Sequence, residues 1–403
     1  MQYENIKSTH VGVFTVYLFW VACVFDPVGA FHSLKFISIA FILAYLGLRF
    51  LISGVPRSID SSYLFICILF IILFPVYGLA ISAFRGGLGN GPFIDTSYIS
   101  SAVYMVCALL YLIPEYCRAA SKALVLSLRL LCLVIWIGFV LLSFQIESNF
   151  LFFFVDNGAA YIGSRNYAGV DFYYIYFVAS PMLIFLLCKQ CWDFFEVKKI
   201  SHLVGVFFVM GALFLSGTRA SIIMSLVAPF IVWLWRKYGA KSLFLWLVFA
   251  MLFIPILGLL ELPVITGMFS SNETSNSEKI GYLNTYMDLF AQPMTFLFGQ
   301  GFNAHTWSSA VANMLPEGAS KTELTYLEMI RVFGIIGLGL LIYALFLLCA
   351  SKRLIKTNYP WVGPSIFLYA LMSSINPYIF SSNGMLVMGF AAGAYLHVRK
   401  KDY

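Results

Sequence analysis

Six side chains in this sequence stand out as able to do chemistry: Arg85, Arg165, Arg219, Arg331, His305 and Glu323. Arg219 lies in Leu215-Ser216-Gly217-Thr218-Arg219-Ala220-Ser221, where a short polar turn opens an apolar stretch. With that stretch helical, its free N–H groups and positive end point the same way as the guanidinium, which is the geometry for an anion. The planar fork of arginine suits phosphate through two parallel hydrogen bonds; snorkelling to lipid headgroups is the bland alternative. Arg331 has Glu328 three residues before it on the same helical face, so an ion pair and a substrate contact are both open to it. Arg165 lies in Gly163-Ser164-Arg165-Asn166-Tyr167-Ala168-Gly169, with Asp171 close by. Arg85 begins Arg85-Gly86-Gly87-Leu88-Gly89-Asn90-Gly91, whose glycines do not make a G-x-G-x-x-G phosphate fingerprint. His305 and Glu323 are the candidates for a general base, and Ser320-x-x-Glu323 also fits a helix capping box.

The elements that hold these residues follow from composition. Of 403 residues, 61% are apolar and 11% charged, and the mean hydropathy is +0.88. A soluble domain is about half apolar and about a quarter charged, so a soluble enzyme, a disordered chain and a nucleic-acid binder are excluded. The surplus apolar surface must face lipid. Long apolar runs predict about twelve transmembrane helices near 10–27, 34–53, 62–83, 97–114, 123–144, 169–188, 202–217, 220–235, 242–261, 324–350, 361–380 and 384–398. The expected fold is a single all-α polytopic membrane domain over residues 1–403.

Charge placement orients it. With the N-terminus inside, eighteen of the 25 basic residues fall on inner segments, while twelve of the eighteen acids fall on outer ones. That obeys the positive-inside bias and predicts both termini in the cytoplasm. One outer segment, 262–323 between helices nine and ten, is far longer than the rest, and long loops in compact proteins are usually functional. It begins polar at Ser270-Ser271-Asn272-Glu273 and turns apolar and aromatic from Tyr286, as an interfacial helix would. A second outer loop, 145–168, carries Phe150, Phe152, Phe153 and Phe154. The eight cysteines show no disulfide framework, and no His/Cys/Asp/Glu grouping has metal-ligand spacing. No internal repeat of the transporter kind is visible.

Two segments carry a resemblance. Leu215-Ser216-Gly217-Thr218-Arg219-Ala220 resembles the S-R-G/A-type turn of the O-antigen polymerase and O-antigen ligase superfamily of bacterial membrane glycosyltransferases. Phe298-Gly299-Gln300-Gly301-Phe302, followed by Glu323-Leu324-Thr325-Tyr326-Leu327-Glu328-Met329-Ile330-Arg331-Val332-Phe333-Gly334-Ile335-Ile336-Gly337, is similar to that family's G-x-G segment, large outer loop and H-N-x-Y-L-(x)6-G-I-I-G helix start. The motifs cover about fifty residues; the number of spans and the late outer loop match along the whole chain. Glu323 stands where the ligase pattern has histidine, eleven positions before Gly334, which points to the polymerase.

The resemblance implies a metal-independent, cofactor-free polymerase of the bacterial inner membrane, working at the periplasmic face in lipopolysaccharide biosynthesis. Its donor and acceptor would be oligosaccharide repeat units on undecaprenyl pyrophosphate. A flippase and a chain-length regulator are possible partners, membrane lipid is its surroundings, and nucleic acid is not expected. Arg219, with Arg165, Arg331 and Arg85, would grip the pyrophosphate; Glu323, or His305, would take the acceptor's proton. Tyr161, Tyr167, Tyr282 and Trp307 could stack on sugars, a role that competes with ordinary anchoring of interfacial aromatics. The alternatives are an O-antigen ligase, disfavoured by Glu323, and a flippase or other transporter of lipid-linked oligosaccharide.

Overall fold

The computed structural model describes residues 10–27, 29, 34–54, 59–84, 97–146, 149–167, 170–241, 274–302, 322–350 and 352–397. The apolar stretch at 242–261 and the residues Arg85, His305 and Trp307 lie outside them. In lipid every backbone polar group needs an internal partner, and a helix supplies one for each. Helices accordingly dominate: α1 (His10–Phe25), α2 (Leu34–Ser53), α3 (Ser61–Phe84), α4 (Ser97–Met105), α5 (Pro114–Ser143), α6 (Asn149–Asp156), α7 (Leu183–Val197), α8 (Ile200–Leu215), α9 (Arg219–Tyr238), α10 (Thr274–Phe290), α11 (Pro293–Phe298), α12 (Thr325–Ala350), α13 (Val362–Met372) and α14 (Ser382–Leu396). Five of these regions are long and apolar enough to cross a membrane: Leu34–Ile52, Ser61–Phe84, Pro114–Ser143, Arg219–Tyr238 and Thr325–Ile355. This is a helical membrane protein.

Its lipid-facing and core-facing surfaces are both apolar, as α5 shows. Leu124, Leu128, Leu131 and Ile135 are buried, while Leu126, Leu130, Leu133, Ile137 and Val140 form an exposed stripe. α14 is the central element and is buried from Asn383 to Tyr395. A helix that is apolar all round belongs in such a place. Its Phe390 is boxed by Trp20, Tyr111, Tyr359 and Trp361, with ring centroids 5.8–6.4 Å away. All eight cysteines are free and buried.

One departure from the expected all-helical reading lies between α6 and α7. The apolar run predicts a helix from 169, but Val170–Phe177 is a strand, paired antiparallel with Ala160–Tyr167. The run Val-Asp-Phe-Tyr-Tyr-Ile-Tyr-Phe is aromatic and β-branched, which favours a pleated strand; apolarity alone does not separate a short strand from a helix. In this hairpin of β1 and β2, Ile175 and Phe177 are buried. Ile175 packs against Gly138 of α5 and Phe177 against Phe154 of α6 at 5.3 Å. Tyr174 and Tyr176 belong to the opposite face.

The connections sort onto two ends of the bundle. At one end Lys35, at the start of α2, is buried and donates to the Pro27 carbonyl and to Ser382 at the head of α14; Thr325 Oγ1 donates to the Asn376 carbonyl at 2.9 Å. At the other end His397 Nε2 meets the Tyr111 carbonyl at 2.7 Å, and the Arg353 guanidinium lies 5.3 Å from the Tyr395 ring while pairing with Asp60. α1 starts and α14 finishes at this second end, since Gly12 abuts Tyr116 there.

Asp60 also caps α3, accepting from the backbone N–H groups of Ser62 and Tyr63. Burial alone would raise its carboxyl, but Arg353 and the two N–H donors outweigh it and hold it below the ordinary value. Asp60→Ala should therefore lower stability by about 1 kcal/mol, as the loss of a cap does. Because the folded-state value is depressed, the contribution is present at neutral pH and fades as pH falls through that value. Thermal unfolding in detergent at two pH values reads both effects.

Candidate functional site

α12 is a broken helix. Gly334 has φ 71° and ψ 178°, outside helical space, and a Cβ there would overlap the Leu297 carbonyl oxygen at the end of α11. The carbonyls of Arg331 and Val332 are met from outside the helix, by the Gln300 N–H at 2.6 Å and the Gly301 N–H at 3.0 Å. Gly299 and Gly301 also have positive φ, and a Cβ on Gly299 would overlap the Val332 carbonyl. The G-x-G segment and the glycine at the head of G-I-I-G are thus two halves of one joint. Phe302 completes it, its N–H bonded to Ser82 Oγ at 2.7 Å and its ring between Tyr98 and Phe333.

Just before the break, Arg331 and Glu328 form a buried pair. Arg331 is 0% exposed and Glu328 2%, with Nη2–Oε1 at 2.5 Å and Nε–Oε2 at 3.0 Å. Tyr286 of α10 donates to Glu328 Oε2 at 2.6 Å and its oxygen lies 2.7 Å from Thr322 Oγ1. Burial, and then the Glu328 charge, push the Tyr286 hydroxyl well above its ordinary value, so it remains a donor. Of the two roles open to Arg331, the structure displays the ion pair, which lies within α12, and the Tyr286 hydrogen bond to Glu328 fastens α10 to it. Tyr282, one helical turn before Tyr286, is 7% exposed in a small core with Leu289, Leu324 and Leu327. Its ring is covered by protein.

Glu323 lies before α12 rather than inside its first turn. Leu324 is the residue whose carbonyl accepts the first helical N–H, from Glu328, so the capping-box glutamate position falls at 327 and Glu323 lies four residues before it. Its carboxylate instead pairs with Lys279 of α10 at 3.1 Å and is 53% exposed. The Glu323 charge also reaches two tyrosines, Tyr176 of β2 and Tyr378 of the turn before α14.

Arg219 is the first residue of α9 and half-buried. Thr218 caps the helix, its Oγ1 accepting from the Ser221 N–H at 3.3 Å. Gly217 has φ 71°, and a Cβ on it would overlap the Tyr174 side chain. The turn that presents Arg219 is therefore seated against β2. Tyr174 and Tyr176 are two residues apart on one face of that strand, about 7 Å along it. The Arg219 turn touches the first, and Glu323 acts on the second. Arg165 and Tyr167 occupy β1 opposite Phe172 and Val170.

The sequence reading did not single out Lys35, Tyr174, Tyr176, Tyr286 or Tyr378. The signal for Tyr286 was available, since it shares an apolar stripe with Tyr282 and Leu289 at helical spacing. The tyrosines of β2 were hidden by the helical assignment of that run. No protein-family model, no characterised protein and no solved structure matches this chain.

Proposed function

We propose that this chain is a membrane glycosyltransferase of the O-antigen polymerase kind, which joins undecaprenyl-pyrophosphate-linked oligosaccharide repeat units at the periplasmic face of the inner membrane. The observation that carries the reading is the shared strand face. Two stretches of the sequence resemblance, one holding Arg219 and one holding Glu323, flank Tyr174 and Tyr176 of β2. The sorting of connections onto two ends supports an orientation with both termini cytoplasmic, because the segments that touch are those the charge bias assigns to one side.

In the proposed reaction a hydroxyl of the acceptor sugar attacks the anomeric carbon of the donor. The bond from that carbon to the pyrophosphate oxygen breaks, and undecaprenyl pyrophosphate leaves with the electron pair. Arg219 stabilises the charge that grows on it, as a fixed cation does best in a site sheltered from water. Glu323, or His305, accepts the hydroxyl proton, a step worth about 10²–10⁴ in rate. Arg331 enters as a positioning group, since its guanidinium is engaged by Glu328. A transporter reading would draw on the broken helix, where freed carbonyls can coordinate ions. Here the Arg331 and Val332 carbonyls are already bonded to Gln300 and Gly301, so that argument has no purchase.

The test is complementation of a strain lacking the protein, with membrane levels checked. Arg219→Ala and Glu323→Gln are each expected to abolish long glycan ladders while single repeats still reach the core lipid. Full ladders from both variants would overturn the assignment, and repeat units held on the cytoplasmic side would favour a flippase.

A further inference from the structure

α10 and α11 leave an apolar face uncovered. Ile280, Leu283 and Met287 of α10 share one side of the helix, opposite the buried Tyr282, Tyr286 and Leu289. α11, which meets α10 through Phe290 and Phe296 at 6.0 Å, exposes Met294, Leu297 and Phe298 on one side. All six are 38–65% exposed. The exposed polar residues Asn284 and Asp288 lie to one flank of the face. An apolar surface of this kind is rarely left to water.

The height of this face in the membrane follows from two helices. Asp60 and Arg353 form the ion pair at the second end of the bundle and mark the polar boundary there. α3 starts beside Asp60, and Tyr77, sixteen residues past Ser61, is about 24 Å further along at 1.5 Å per residue. The Tyr77 hydroxyl donates to the Phe298 carbonyl at 3.0 Å. α12 finishes near Arg353, and Gly334, which abuts the Leu297 carbonyl, is again sixteen residues, or about 24 Å, from Ala350. The hydrocarbon is about 30 Å thick, and tilt only lowers both heights. The end of α11 is therefore within it.

Backbone pairing gives the same answer. The chain after α11 is not helical, and at this depth its polar groups need protein partners. The N–H groups of Gly299, Gln300, Gly301 and Phe302 bond in turn to the Thr295, Arg331 and Val332 carbonyls and to Ser82 Oγ, at 2.6–3.0 Å. A turn at the water surface has no need of four successive internal partners. Towards its start, α10 reaches the polar zone, where Lys279 pairs with Glu323 ahead of α12 and well above the break at Gly334.

We infer that α10 and α11 form a wedge sunk into the lipid leaflet at this end of the bundle, with their apolar face against acyl chains. The wedge enters at headgroup level at Lys279 and is deepest at Leu297 and Phe298. An amphipathic helix lying flat in the interface would keep one depth along its length; this segment descends. The inference is independent of the reaction proposed above.

The experiment uses the full-length protein in nanodiscs of phosphatidylethanolamine and phosphatidylglycerol. All eight native cysteines are buried, so a spin label goes to an added one. Leu283→Cys, Met287→Cys and Leu297→Cys probe the face, and Asp288→Cys probes the polar flank. Collisions with oxygen relative to a water-soluble nickel chelate report depth. That ratio should rise severalfold from Leu283 to Leu297 and be lowest at Asp288. In the unaltered protein, a phospholipid with a photoreactive acyl chain should crosslink within residues 287–298, a readout that needs no variant. Equal ratios at all four positions overturn the inference, as does the lack of a lipid crosslink within 287–298. So do labels on the face that neither reagent reaches, which would mean that residues 303–321 or a second copy cover it.

Discussion

Arg331→Met should destabilise the protein by about 3–5 kcal/mol, because it leaves the Glu328 carboxylate buried and without its counter-charge. That is a large part of the about 5–15 kcal/mol that holds a typical domain together. Adding Glu328→Leu in the same chain should recover most of the loss, since an apolar pair of similar volume tolerates burial as well as an ion pair does. Tyr286 would then still have Thr322 as a partner, at 2.7 Å. Thermal unfolding of both single variants and the double variant in detergent gives the cycle directly. Its functional arm separates the two roles of Arg331. A double variant that folds and restores glycan ladders makes the arginine a positioning group; one that folds and stays inactive makes it a substrate contact.

Gly334→Ala is expected to be the most damaging of the single methyl additions to α12. The backbone there lies in a region essentially reserved for glycine, which costs another residue about 1–3 kcal/mol. The new methyl would also press on the Leu297 carbonyl and the Phe298 nitrogen, and overpacking adds about 1–3 kcal/mol more. Gly339→Ala is the control. It lies five residues further along the same helix with nothing within 4 Å of the added carbon, and helical preference should make it neutral or stabilising by up to about 1 kcal/mol. Equal unfolding temperatures for the two variants would mean that the joint with Gly299 and Gly301 does not hold the helix.

The comparison of Gly334 with Gly339 also shows how far the sequence is legible. Hydropathy located the helices because lipid leaves the backbone few alternatives, and every expected apolar stretch on described residues contains one. Gly299, Gly301 and Gly334 stood out as a motif, but their mutual contact did not, because it joins segments more than thirty residues apart. The hairpin was missed for a different reason. Tyr173, Tyr174 and Tyr176 fit a strand by residue type, yet an apolar run beside other apolar runs reads as one more span. Glu323 fitted a capping box by spacing, and only the register of α12, which begins at Thr325, separates it from that role. The Glu328–Arg331 pair was legible as a pair. Its burial was not, because burial depends on Tyr286 and Thr322 arriving from another element.

The interruption at Gly334 bears on how the protein is made. From Ile335 to Ala350 the continuous stretch is free of charge and about 24 Å long at 1.5 Å per residue, close to the shortest length that spans a bilayer. The insertion machinery can hand that stretch to lipid on hydrophobicity alone. The preceding turns carry Glu328 and Arg331 and gain nothing from lipid until Tyr286 and the 299–301 turn receive them. Both receivers are upstream and leave the ribosome first. The order of synthesis therefore matches the order of need: a dock is in place before the ionic half of the helix emerges, and the helix is completed against protein after its apolar half is delivered to the bilayer.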